Sequence, residues 1–103
     1  MADPMKIRAN LIGDSTEVKV LMSHEMETGQ RKDAQGKTIP AWHITNVTAT
    51  HNGKVVMSAE WGPAVAKNPF LAFKFKGGAK GDKVQITWVD NRGDKRTDEA
   101  TVA

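Results

Sequence analysis

The chain has 103 residues, 39% of them hydrophobic and 26% charged, enough for one core and too few for two, so a single domain over residues 1–103 is expected. Its formal charge is +3, with Lys and Arg interleaved among Asp and Glu; this argues against nucleic-acid binding and fits small anions or acidic protein surfaces. The absence of cysteine excludes disulfides, thiolate metal sites, iron–sulfur clusters and cysteine nucleophiles, and no apolar run approaches the ~18 residues that suggest a membrane-spanning helix.

The first residues, Met1 to Lys6, lack the apolar stretch of a signal peptide, which leaves cytoplasmic residence or export with another protein. From Lys6 to Leu11 apolar and polar residues alternate, with Ile7, Ala9 and Leu11 on one face, the pattern of a half-buried strand. Gly13-Asp14-Ser15 turns the chain, and Glu17 to Met22 alternates again with Val18, Val20 and Met22 inward. A further strand starts near Ala41. Its apolar phase slips between Ile44 and Val47, as one inserted residue, a β-bulge, would produce.

His51-Asn52-Gly53-Lys54 reads as a tight hairpin, because Asn-Gly tolerates the positive φ angles of a type I′ turn. The return strand is expected to bury Val55, Met57, Ala59 and Trp61. After an irregular crossover from Gly62 to Pro69 come a strand aligning Leu71, Phe73 and Phe75, another lined by Val84, Ile86 and Trp88, and a polar last strand with Ala100 and Val102 inward. About seven short strands with no helix-period segment predict an all-β, immunoglobulin-like antiparallel sandwich. Leu21, Val56, Phe70 and Val89 fall on the polar phase of four strands. Together they predict one apolar outer patch, a candidate subunit interface.

Between two of these strands lies Ser23-His24-Glu25-Met26-Glu27-Thr28-Gly29-Gln30-Arg31-Lys32-Asp33, dense in charge and without strand periodicity. Such a loop at a strand end is where function usually sits. Met22, His24 and Met26 offer thioethers and an imidazole, a set suited to Cu(I), but Met22 also continues a core face and Met is a common gap-filler. His24, His43 and His51 have no close metal-ligand spacing, and Glu25, Glu27 and Asp33 beside Arg31 and Lys32 read as a solvated, self-paired loop. The glycines at 77, 78 and 81 join two strands and do not lead into a helix that would cradle phosphate. No catalytic or metal-ligating residue is assigned.

The motif Ser23-His24-x-Met26-Glu27-Thr28-Gly29-Gln30-Arg31-Lys32-Asp33, followed by Ile39-Pro40, Asn52-Gly53 and Pro63-Ala64-Val65-x-x-Asn68-Pro69, closely resembles the SoxZ family. Phe73-x-Phe75-Lys76-Gly77, Gly81-Asp82 and Trp88-x-Asp90 fit as well, so the likeness runs from about Val20 to Asp94; Ala66 departs from the hydroxyl residue common in the family. The resemblance implies a non-catalytic, cofactor-free subunit of the SoxYZ sulfur-carrier complex of thiosulfate oxidation. Its partner, SoxY, would carry sulfur intermediates on a cysteine near the end of a flexible arm, and other enzymes of the pathway would visit it in turn. It also implies a periplasmic location, reached by co-export with the partner. His24, Met26, Glu27, Arg31, Lys32, Asp33, Asn68 and Pro69 are then the candidates for docking the arm or a visiting enzyme. Neither membrane nor nucleic acid is an expected partner, and self-association of the isolated chain is a further expectation. The alternative is a small metal-binding sandwich, either copper chaperone-like or superoxide-reducing; an adhesion-type binding module is the blander option.

Overall fold

Alternation between apolar and polar side chains allows each strand to bury one face and leave the other wet, and seven strands form on that principle. The computed structural model describes residues 4–62, 65 and 67–103. In chain order the strands are β1 (Lys6–Ile12), β2 (Ser15–Leu21), β3 (Ile44–His51), β4 (Lys54–Glu60), β5 (Phe70–Lys76), β6 (Lys83–Asp90) and β7 (Lys95–Thr101). They make two antiparallel sheets, ordered β1-β2-β5 and β4-β3-β6-β7. The expected β-sandwich is what forms.

The inward residues are largely those the periodicity marks. Val18 and Val20 of β2 and Phe75 of β5 are buried, as are Ile44, Val47 and Ala49 of β3 and Val84, Ile86 and Trp88 of β6. Each fully buried Val or Ile contributes roughly 1.5–3 kcal/mol against the entropy of ordering the chain. One side of the sandwich is laced by the chain's end: the Leu11 amide donates to the Ala103 carbonyl (3.0 Å) and the Ala103 amide to Ala9 (2.9 Å). Nearby, the Met5 amide donates to Asp98 Oδ2 at 2.9 Å. On the β4 and β5 side, Val56, Met57, Trp61, Leu71 and Phe73 touch the core but are only partly buried.

The anticipated register shift in β3 falls between Ile44 and Asn46. A second lies opposite β4, between Ala49 and Thr50, and it corrects two sequence-based expectations. Val55 was expected inside and is 58% exposed, whereas Val56 was expected outside and packs against the core. An extra residue on one strand of a pair reverses the facing of everything beyond it, and here that residue is Val56, two positions past the hairpin turn. That turn is as expected: Asn52 and Gly53 both have positive φ, 49° and 86°.

Candidate functional site

Beyond β2 the chain keeps the strand's inward phase for two alternating positions, so Met22 and then His24 point into the sandwich. The backbone is held by the stretch preceding β5. The Met22 amide donates to the Pro69 carbonyl (2.9 Å), and the Asn68 amide to the His24 carbonyl (2.9 Å). Asn68 Oδ1 in turn accepts the His24 amide at 3.1 Å. Asn68 adopts a left-handed φ of 51°, a conformation Asn tolerates better than most residues. Pro63, Ala64 and Ala66, the other motif positions named in this crossover, lie outside the described residues.

His24 Nδ1 accepts the Met26 amide at 3.1 Å, which assigns the ring proton to Nε2. That nitrogen donates to Asp90 Oδ2 at 3.0 Å, and Trp42 Nε1 donates to the same oxygen at 2.8 Å. The other carboxylate oxygen accepts the amides of Arg92 (2.9 Å) and Asp94 (3.0 Å). Burial alone would push the Asp90 carboxyl up. The donors from His24, Trp42 and the two amides outweigh it and hold the group below the usual aspartate range. Trp42 and Trp88 enclose the imidazole at ring-centroid distances of 4.9 and 5.1 Å, and the Arg92 guanidinium lies 4.5 Å from the centre of the Trp42 ring.

This buried cluster is the root of an arm. Glu27 and Trp42 exchange backbone hydrogen bonds, Lys32 bridges Thr38, and the Ile39 amide donates to Arg31. At the tip, Asp33 Oδ1 accepts the amides of Gln35 and Lys37 at 2.8 and 3.0 Å, a side-chain turn cap. Gly29 has φ +88°, and a Cβ there would lie 3.1 Å from the Ala41 Cβ, so the limbs meet closely at this point. Residues 27–42 are thus a two-limbed hairpin and not the irregular loop expected from the missing periodicity. Every residue from 30 to 38 is exposed. With no buried face there is nothing for a two-residue alternation to record.

The structure separates the candidate docking residues into two sets. His24 and Met26 are buried, and the Met26 sulfur accepts the Ile44 amide at 3.3 Å. Their side chains hold the root and leave little surface exposed, as does buried Pro69. Arg31, Lys32, Asp33 and Asn68 are exposed, and Glu27 is half-buried. Arg31 Nε donates to Glu27 at 3.1 Å, a hydrogen bond that holds the Glu27 carboxyl below its usual range. Lys67 and Glu25 pair at 3.2 Å, and these two pairs line an open groove of about 340 Å³. Lys32 has no ion-pair partner among the described residues.

The expected single apolar patch is not found. Leu21 and Phe70 are Cα partners on the three-stranded sheet, 42% and 62% exposed. Val89 is half-buried on the other sheet, and Val56 has turned toward the core at the bulge. The three histidines also stay apart: His24 bonds Asp90, His51 Nε2 lies 2.6 Å from Asp82 Oδ2, and His43 Nδ1 lies 3.1 Å from the Ile44 carbonyl. Among the described residues no three His, Asp or Glu side chains are placed to hold a metal ion. Asp90 and Trp42 were not among the sequence candidates. The only signal of the former was its place in the Trp88-x-Asp90 motif.

These features define an immunoglobulin-like sandwich that carries a charged arm on a buried polar root. Solved structures with this architecture include hypothetical protein PH1083 from Pyrococcus horikoshii OT3, with TM-score 0.63 and 18% identity over 99% of this chain and 89% of that one. A mutant superoxide reductase (neelaredoxin) from Archaeoglobus fulgidus, in the reduced form, gives TM-score 0.61 and 22% identity over 99% and 90%. At these identities what is shared is the fold. No curated protein matches. Residues 5–101 match the family described as sulphur oxidation protein SoxZ, and the chain belongs to that family.

Proposed function

We propose that this chain is the cysteine-free, non-catalytic subunit of a SoxYZ-type sulfur carrier. It pairs with a SoxY-like subunit and helps present that subunit's cysteine-bound sulfur intermediates to other enzymes of thiosulfate oxidation. The observation that carries this reading is the family match over residues 5–101 of a chain with no cysteine. The half-buried apolar residues Val56, Met57, Trp61, Leu71 and Phe73 along β4 and β5 support a lasting partner, since permanent interfaces are rich in such surface. Of the other residues expected at that interface, Val89 remains a candidate contact at its margin, while Leu21 and Phe70 pair on the outer face of the three-stranded sheet. The likeness to superoxide reductases brings no second reading, because the three histidines each serve a different local partner.

The arm suits docking. Its root fixes the direction, and its exposed Arg31, Lys32 and Asp33 offer charge to the partner's sulfur-bearing tail or to a visiting enzyme. On the same reading the carrier works in the periplasm, which it reaches by export together with its partner. Co-expression with a SoxY-like subunit is expected to give a one-to-one complex on gel filtration with light scattering. Recovery of two unassociated chains would refute the pairing, and thiosulfate oxidation by the isolated chain would refute the non-catalytic role. Within the complex, Arg31→Ala with Lys32→Ala is expected to lower pathway turnover by roughly threefold to tenfold, from lost charge steering, while the heterodimer still forms. Loss of the heterodimer instead would move these residues into the subunit interface.

A further inference from the structure

The outer face of the β1-β2-β5 sheet carries more positive charge than the molecule as a whole. Register places its outward residues in rows across the three strands: Lys6, Leu21 and Phe70; Arg8, Lys19 and Ala72; Asn10, Glu17 and Lys74; Ile12, Ser15 and Lys76. Five cations stand against one carboxylate, an excess larger than the +3 of the entire chain. Glu17 lies 3.6 Å from Lys19, and none of the other four cations has an ion-pair partner among the described residues. The outer face of the second sheet is balanced by contrast, with Lys83 and Lys95 offset by Glu60 and Glu99.

Arg8 and Lys19 are direct cross-strand partners, an arrangement that costs stability where like charges face each other. Neighbouring strands lie about 4.8 Å apart and alternate residues along a strand about 6.8 Å, within a Debye length at physiological salt, so these charges act as one field. At one end the field meets the exposed Leu21–Phe70 pair, which supplies an aromatic anchor. Lysine is depleted from the centres of permanent interfaces, and a lysine-rich face fits an encounter that forms and releases.

We propose that this face is a second docking surface, separate from the partner interface, and that it takes an acidic protein surface with an apolar contact opposite Phe70. The proposal rests on the carrier reading and adds to it the chemistry of the visitor: an enzyme that acts on the carrier approaches with an acidic patch and leaves after turnover.

The test uses the assembled carrier carrying Arg8→Glu and Lys76→Glu. The first puts a carboxylate opposite Lys19 and the second one opposite Ser15, so neither sets a like charge directly across from it in the sheet. The melting temperature is expected to hold. In thiosulfate oxidation reconstituted from purified enzymes, with carrier as the varied substrate, KM for the carrier is expected to rise about tenfold or more with kcat unchanged. The wild-type KM should climb with salt, and that dependence should flatten in the variant. An unchanged KM, or loss of the heterodimer, would overturn the proposal. So would an unchanged KM accompanied by salt-sensitive binding of wild type, but not variant, to phosphatidylglycerol vesicles, which would give the face to a membrane. Absence of any turnover with wild-type carrier would sink the carrier reading itself and the docking surface with it.

Discussion

Asp90 gathers four donors from three separate stretches of chain and so ties the parts of the site together. Replacing it by Asn keeps the shape but sets an amide NH₂ against groups that are themselves donors. The expected cost is about 3 kcal/mol, read as a lower urea midpoint at constant slope. The charge also sets a pH dependence. Because the folded-state carboxyl titrates below the ordinary value of 3.8, its contribution is complete above that value and drains as pH falls through the lower, folded one. Stability measured by urea should therefore fall below about pH 4, and the fall should be shallower in Asp90→Asn; equal slopes in the two proteins would assign the acid loss to other carboxylates. Gly78 is a second single-residue dependence. It has φ +99°, and a Cβ there would collide with Thr16 Oγ1, whose hydroxyl is buried and donates to the Gly77 carbonyl. Gly78→Ala is expected to cost more than the roughly 1 kcal/mol of an ordinary positive-φ glycine, and chemical denaturation measures it.

The strands were legible because burial writes a two-residue period into β1, β2, β5 and β6. What escaped did so for physical reasons that differ from element to element. The bulge opposite Thr50 leaves no mark, since Val55 and Val56 are both apolar and either could face the core. The arm has backbone pairing but no buried face, so no periodicity announces it. His24 reads as a polar loop residue because its partner sits 66 positions away, and sequence shows residue types but not that distance. The arm's separateness from the core is itself testable. Replacing residues 32–38 with Asn-Gly should leave the melting temperature within a degree or so, because no buried contact is lost. Carrier turnover should fall at least as far as with Arg31→Ala and Lys32→Ala together. A large drop in melting temperature would mean that the tip contributes to the fold.

At the scale of the whole molecule, the composition bears on the chemistry. A sulfur carrier holds its cargo as a persulfide-like group, and any nearby thiolate can attack the inner sulfur, join the two cysteines as a disulfide and expel hydrosulfide. On the proposed reading, a companion with no cysteine in 103 residues removes that route on its own side of the complex. The arm is the place to restore it, since Gln30 is exposed on the limb leading to the tip. In the assembled carrier loaded with sulfur, Gln30→Cys is expected to yield a reductant-sensitive band joining the two subunits on a non-reducing gel, with release of sulfide and loss of turnover. Gln30→Ser, with the same size and no thiol, should stay active and unlinked. If the Gln30→Cys carrier remains uncrosslinked and fully active, then either the arm never approaches the cargo or the lack of cysteine protects nothing. Moving the same cysteine to Asn68, beside the root, distinguishes the two. A link from there would keep the protective role and relocate the cargo, while silence at both positions would remove the role altogether.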